Sequence, residues 1–332
     1  MNTLPYAAAF RPRSFTVRPA WRRAAAALLL AVGGVAAQAQ ILIGQTTAVT
    51  GPVAASVGET LVGVRLYLDH VNARGGVHGE QIRLITLDDK FEPKLAGENA
   101  RQLIEEHKVA ALFMSRATPH TQAILPHLAK HQIALIAPST GAMVLHQPVR
   151  KHVFNVRATY QREAEKAMTH LATLGMNRIA VLYADDSFGA DGYAALRKAG
   201  STAQLVTLSN NASSGFIKSL GEQARGVIVS QVFPNERSLA YPLVKEALEL
   251  SKAGGQGDIS PAMLEGFAAA KVLVEGLRRA GPKPTREKIQ AALEAIQQYD
   301  LGGLPISYGQ KDHTGLDFAD LSIIGADGKF RR

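Results

Sequence analysis

Apolar residues along this chain fall into two alternating patterns: short unbroken runs, and longer stretches in which apolar positions recur three and four apart. The runs read as buried strands and the stretches as amphipathic helices. Ile41–Thr46 is the first strand, followed by the turn Thr50-Gly51-Pro52. Leu61–Val71 is a helix with Leu61, Val64, Leu66, Leu68 and Val71 apolar, and Gly75-Gly76 ends it. Gln81–Leu87 is a strand closing in Asp88-Asp89, and Pro93–His107 a helix with Ala96, Ala100, Leu103 and Ile104 inward. Strands at Ala111–Met114 and Ile133–Ala137 flank a helix whose Ile124, Leu125, Leu128 and Ala129 share a face; a weaker strand, His152–Val156, follows. The pattern restarts at Tyr160. A helix at Glu163–Leu174 precedes a strand at Arg178–Tyr183, a short helix at Ala190–Lys198 and a strand at Gln204–Leu208. A helical turn at Phe216–Leu220 leads to a strand at Gly226–Phe233. Helices at Tyr241–Leu250, Pro261–Ala280 and Thr285–Ile296 come next, with Ile306–Tyr308 and Leu321–Ile324 as closing strands around a Gly-Gln-Lys-Asp turn. Strands alternating with helices predict an α/β fold built on parallel sheets, and the restart predicts two similar lobes.

The segment Ala111–Val144 concentrates candidate chemistry. Its two strands end in hydroxyl-bearing residues: Ser115 and Thr118 after the first, Ser139 and Thr140 after the second. In an open parallel sheet, ligands bind just beyond the carboxyl ends of the strands. Helices beginning there offer free N–H groups and the positive end of a dipole, which suits a carboxylate. The expectation is a cleft for a small molecule.

Residues 1–39 stand apart. Arg11, Arg13, Arg18, Arg22 and Arg23 precede the apolar run Ala24–Ala37, which ends in Ala37-Gln38-Ala39. A basic start, a short apolar run and a small-x-small site describe a cleavable secretory signal peptide, and the run is shorter than the ~20 residues a membrane span needs. Arg22-Arg23 also leaves twin-arginine export open. Without those five arginines the formal net charge falls from +9 to +4, and aromatics make up only 6% of the chain, so a nucleic-acid surface loses its support. There is no cysteine, which removes disulfides, thiolate metal sites and cysteine nucleophiles. The expected product is a periplasmic chain, monomeric and not inserted in the membrane.

The stretches ILIGQTTAVTGPVAASVGE, VNARGGVHGEQIRLITLDDKFEP, IALIAPSTGA, RIAVLYADDSFGADGY and PAMLEGFAAAKVLVEGLRRAG resemble, in that order, the leucine/isoleucine/valine-type periplasmic binding proteins that serve ABC importers. The resemblance covers nearly all of residues 41–332. It implies a type I periplasmic binding fold: two Rossmann-like lobes with parallel sheets joined by three hinge crossovers, near Val156–Thr159, Gln231–Tyr241 and Ile306–Phe318. Residues 40–157 with about 240–305 would form the first lobe, and 158–239 with about 306–332 the second. An amino-acid-like ligand would lie between them. The resemblance gives the holding of its carboxylate and ammonium to Thr118 and Pro119 in SRATPHT and to Ser139, Thr140 and Gly141 in APSTGA. Phe188 would close on the ligand from the second lobe. The acid that pairs the ammonium in amino-acid binders corresponds here to Ser209, which weakens the case for a plain α-amino acid, since a buried ammonium needs a charge partner. Between residues 189 and 204 the chain is also shorter than the family pattern by about two βα units, which predicts exposed edges in the second lobe.

Other residues carry alternative readings. Ser139-Thr140-Gly141 also fits a helix N-cap. His127 and His131 lie four apart, with His120 nearby, but no carboxylate is in register with them, so no metal site is expected. Asp88-Asp89 and Asp185-Asp186 read as helix caps or a cleft rim. Phe188 could belong to the core, and Tyr160 lies near a hinge. The absence of GxSxG, HExxH and Walker motifs argues against an enzyme. The expected role is solute delivery to an ABC permease without a cofactor; a ligand sensor for a separate receptor is the alternative.

Overall fold

The computed structural model describes residues 40–176 and 203–331. The leader at 1–39, the strand at 178–183, Asp185-Asp186, Phe188, the helix at 190–198 and most of the shortened stretch 189–204 lie outside the described residues.

Strand β1 (Gln40–Thr47) runs into helix α1 (Ala54–Ala73). This helix starts seven residues before the expected Leu61, because the apolar periodicity is weak in its first two turns. Strand β2 (Gln81–Asp88), helix α2 (Pro93–Glu105) and strand β3 (Ala111–Phe113) follow, then helix α3 (Thr118–His131), strand β4 (Leu135–Ile136) and strand β5 (Val153–Phe154). These five strands form one sheet in the order β2-β1-β3-β4-β5, parallel throughout, with Ile41 beside Ile82, Ile43 beside Ala111 and Leu135 beside both Leu112 and Val153. The fully buried runs of β3 to β5 match a sheet covered on both faces.

After helix α4 (Tyr160–Thr173), a second sheet is built from strands β6 (Val206–Thr207) and β7 (Ile228–Gln231), with helix α5 (Ser214–Leu220) between them. Helices α6 (Pro242–Ala253), α7 (Pro261–Ala280) and α8 (Arg286–Glu294) then return to pack with the first sheet. The hairpin strands β8 (Tyr299–Asp300) and β9 (Pro305–Ile306) lead to strands β10 (Asp320–Ile324) and β11 (Phe330–Arg331). The second sheet has the order β11-β10-β7-β6. Its β6–β7 pairing is parallel, as expected, while β10 runs antiparallel to both β7 and β11.

The strand expected at Ile306–Tyr308 does not close a main sheet. Asp300 accepts the N–H groups of Gly302, Gly303 and Leu304 on one carboxylate oxygen, which folds the chain back so that Pro305–Ile306 pairs with Tyr299–Asp300. Leu321–Ile324 does close the second sheet, as β10.

One packing contact fixes the position of the site. Helices α1 and α7 cross at two glycines: a Cβ on Gly63 would lie 1.8 Å from the Met263 carbonyl oxygen, and one on Gly266 would lie 2.0 Å from that of Thr60. Only glycine allows so close an approach of two main chains. Most of α7 is buried, including Leu264, Phe267, Val272 and Leu277, and each such side chain contributes about 1.5–3 kcal/mol by leaving water. Within this apolar helix, Glu265 sits next to the crossing glycine.

Candidate binding site between the two sheets

The loop after β3 bends through an uncommon conformation. Ala117 has φ 69° and ψ 153°, a region glycine normally occupies, and Met114 and Ala137 at the ends of β3 and β4 are also left-handed, with φ of 50° and 54°. Such strain is held where surrounding bonds over-determine it. Here the bonds are Ser139 N–H to the Ser115 carbonyl at 2.8 Å, Ser115 Oγ to Thr121 Oγ1 at 2.9 Å, and Thr121 Oγ1 to the Ala117 carbonyl at 2.8 Å. The bend brings Arg116 and Thr118 to the carboxyl edge of the sheet.

Thr118, Pro119, Ser139, Thr140 and Gly141 gather there, while Ser209 lies on the second sheet and Phe188 outside the described residues. Thr118 Oγ1 lies 2.7 Å from Thr140 Oγ1. Pro119, without an N–H, occupies the first turn of α3, whose N-terminus carries no side-chain cap. Ser139 donates to Glu265 Oε1 at 2.8 Å and accepts from Arg116 Nη1 at 3.0 Å. Gly141 accepts from the Tyr160 N–H at 2.8 Å, and a Cβ on it would stand 2.7 Å from the Ala158 oxygen, so its missing side chain seats the crossover into α4. Ser209, in the loop after β6, contacts Arg157 Nη2 with its hydroxyl and donates its N–H to Glu163 Oε2 at 2.9 Å.

Four charged residues outside the expected set link these groups. Arg116 reaches from the first sheet to the second, Nη2 donating to the Asn210 carbonyl at 3.0 Å. Arg157, on the crossover after β5, is 1% exposed; its Nη2 lies 2.6 Å from Glu163 Oε1 and its Nη1 3.7 Å from Glu265 Oε1. Glu163 also accepts from Ser230 Oγ on β7. The result is a continuous buried path, Arg116–Ser139–Glu265–Arg157–Glu163–Ser209, from one sheet to the other.

The electrostatics follow from burial. Desolvation pulls the Arg116 guanidinium below its ordinary pKa, opposed by the field of Glu265. Desolvation acts the same way on Arg157, but the carboxylates of Glu265 and Glu163 outweigh it and hold that guanidinium above its ordinary value. His146 lies near Arg157, and burial together with that positive charge pushes its pKa down to about 4. Arg157 Nε and Nη1 and both ring nitrogens of His146 have no hydrogen-bond partner among the described residues.

Arg116, Ser139, Gln45, Thr47 and Thr60 line a gap of about 10 Å³, room for roughly one water. A second tie between the sheets runs beside it: Glu59 on α1 accepts the N–H groups of Ser214 and Gly215, at 3.1 and 2.8 Å, at the N-terminus of α5. Asp88 and Asp89 hold loops. Asp88 takes the N–H groups of Val49, Thr50 and Lys90, and the buried Asp89 takes Thr46 Oγ1 and the Phe91 N–H. His131 Nε2 lies 3.0 Å from Glu105, while His120 is buried and stacked on Phe91, its ring nitrogens without a hydrogen-bond partner among the described residues. Among the described residues no group of three or more His, Asp or Glu is arranged to hold a metal, and no helix is long and apolar enough to cross a membrane.

Arg116, Arg157, Glu163 and Glu265 left only a faint trace in the sequence. Glu265 is a lone acid in the first turns of an apolar helix, and Arg116 a lone cation at the end of an apolar strand; such charges require a partner. Which partner each finds, 126 residues apart for Ser139 and Glu265, is set by the fold.

Two sheets whose strand ends face one another across a polar, charged seam define the class of two-lobed α/β binding folds. The chain belongs to the periplasmic binding protein family, whose profile matches residues 40–210 and 193–317. It is 27% identical over 177 residues to the Leu/Ile/Val-binding protein BraC3 of Rhizobium johnstonii, covering 51% of this chain and 47% of that protein. It is 31% identical over 170 residues to Leu/Ile/Val-binding protein homolog 7 of Brucella melitensis, covering 48% and 42%. The chain thus spans about half the length, or less, of these relatives. Among solved structures it resembles a substrate-binding periplasmic protein from Ralstonia solanacearum, with a TM-score of 0.76 and 28% identity over 88% of this chain and 99% of that one. A possible leucine/isoleucine/valine-binding protein from Rhodopirellula baltica shares the fold, with a TM-score of 0.80 at 24% identity over 90% and 98%.

Proposed function

We propose that this chain is an extracytoplasmic solute-binding protein, exported by the leader at residues 1–39, that delivers a small amino-acid-like solute to an ABC importer. The solute class is a branched-chain amino acid or a related amide or carboxylate. The observation that carries this reading is the buried charged path from Arg116 to Ser209, which joins the carboxyl edge of one sheet to the loops of the other. Burying ion pairs costs desolvation that apolar residues of similar volume would not incur, and a binding role gives a reason to retain them.

In this reading, residues 40–157 with 240–305 and residues 158–239 with 306–332 act as two lobes that hinge about the crossovers. Support comes from the placement of the first sheet within 40–154 and the second within 206–331. The crossovers also run side by side: Asn155 N–H donates to the His313 carbonyl and Leu316 N–H to the Val156 carbonyl, both at 3.0 Å. Opening about these strands would widen the 10 Å³ gap to admit a solute. Isothermal titration of the chain without its leader, against amino acids, their amides and simple organic acids, tests the reading. Saturable binding without turnover is expected; no heat from any member of the panel would refute it.

A further inference from the structure

The hydrogen-bonding inventory of the seam is unequal. Two buried guanidinium nitrogens, Nε and Nη1 of Arg157, have no hydrogen-bond acceptor among the described residues, Nη1 lying 3.7 Å from Glu265 Oε1. Arg116, which lines the gap, gives its terminal nitrogens to two neutral acceptors, Ser139 Oγ and the Asn210 carbonyl, and no described carboxylate lies within 4.0 Å of it. No carboxylate lines the gap itself, whose polar residues are Gln45, Thr47, Thr60, Arg116 and Ser139. Glu163 already serves Arg157, the Ser209 N–H and Ser230 Oγ. Glu265 takes Ser139 on the same oxygen that faces Arg157 at 3.7 Å. The position at which the family resemblance implies an acid for an ammonium holds Ser209, and its hydroxyl is turned to Arg157.

An ammonium carries three donors and no acceptor, and in the gap it would meet the Arg116 guanidinium and no lining carboxylate. A carboxylate brings two acceptor oxygens, and a guanidinium meets them with a planar pair of N–H groups. We infer that the solute is an organic acid without an α-ammonium group, its carboxylate gripped by Arg116 between Ser139 and Asn210. The inference rests on the solute-binding reading above and narrows it. Arg116 sets the specificity by exchanging its neutral acceptors for a charged one.

The test uses matched pairs on the chain without its leader: 4-methyl-2-oxopentanoate against leucine, phenylpyruvate against phenylalanine, and succinate against aspartate, each by isothermal titration. At least one deaminated acid should bind about tenfold or more tightly than its amino acid, and Arg116→Gln, shown folded by circular dichroism, should weaken it by about tenfold or more while Arg116→Lys retains part of the affinity. Amino acids binding as tightly as their deaminated partners would overturn the inference and leave the solute-binding reading in place. Unchanged acid affinity in folded Arg116→Gln would overturn it equally. Silence from all six compounds and from the wider panel would remove both. Should Arg116→Gln not fold, the matched pairs decide alone.

Discussion

The crossing of α1 and α7 gives a prediction whose sign can be worked out. In Gly266→Ala the new Cβ would stand 2.0 Å from the Thr60 oxygen and 3.0 Å from the Val64 nitrogen, all main-chain atoms that no rotamer change can move aside. The helices must separate by about 1 Å. Overpacking of this kind costs about 2–3 kcal/mol. The shift also pulls Glu265 from Ser139, a hydrogen bond to a charged group worth about 1.5 kcal/mol at the low end. Alanine returns about 1 kcal/mol through its better helix propensity. The net expectation is a loss of about 3 kcal/mol. Gly58 lies on α1 as well, but a Cβ there meets nothing within 4 Å, so Gly58→Ala keeps only the propensity term and should stabilise by up to about 1 kcal/mol. Urea unfolding at neutral pH, followed by far-ultraviolet circular dichroism, reads both midpoints. If Gly266→Ala unfolds where the parent does, or if Gly58→Ala is destabilised to the same degree, the close crossing is not what holds these helices.

Two further outcomes follow from the buried charges. Glu163→Gln leaves Arg157 inside the protein with only Glu265 at 3.7 Å, and should cost about 3–5 kcal/mol in urea unfolding; adding Arg157→Met should recover much of that loss, and a double variant no more stable than the single one would contradict the pairing. His146 has a folded pKa of about 4 against an ordinary value near 6.5. Between those values the unfolded chain binds the proton more readily, so stability should be level above pH ~6.5 and fall by roughly 2–3 kcal/mol as pH drops toward 4. Burial lowers the His313 pKa as well and adds in the same direction, so His146→Gln should remove part of the slope between midpoints measured at pH 7.5 and 4.5, and an unaltered slope would refute the assignment.

The sequence carried the framework well where burial imposes a regular period. Pro261–Ala280 was readable to the residue, because Met263, Phe267, Val274 and Leu277 mark its inner face and Ser260 caps it. The first turns of α1 were hidden, since alanine, serine, glycine and glutamate there carry little apolar periodicity. The β8–β9 hairpin was hidden because its turn is made by one aspartate accepting three N–H groups, a device that leaves no apolar pattern. In the site, strand-end hydroxyls such as Ser139 and Thr140 were legible, because a parallel sheet tells where its ligand edge must be. Arg157 and Glu163 were not, because their meaning lies in a contact between a crossover and the helix that follows it. Ser209 stood out only as a departure; that it is spent on Arg157 and Glu163 belongs to the three-dimensional arrangement.

Glu59 has one more consequence. Its carboxylate belongs to a helix of the first sheet and yet closes the open end of α5 on the second. On the proposed solute-binding reading, a guest would have to undo this clasp to reach Arg116, and its dissociation constant would then contain the work of unclasping as well as the grip itself. On that reading position 59 would tune how readily a guest is held and released while the recognition chemistry stays the same.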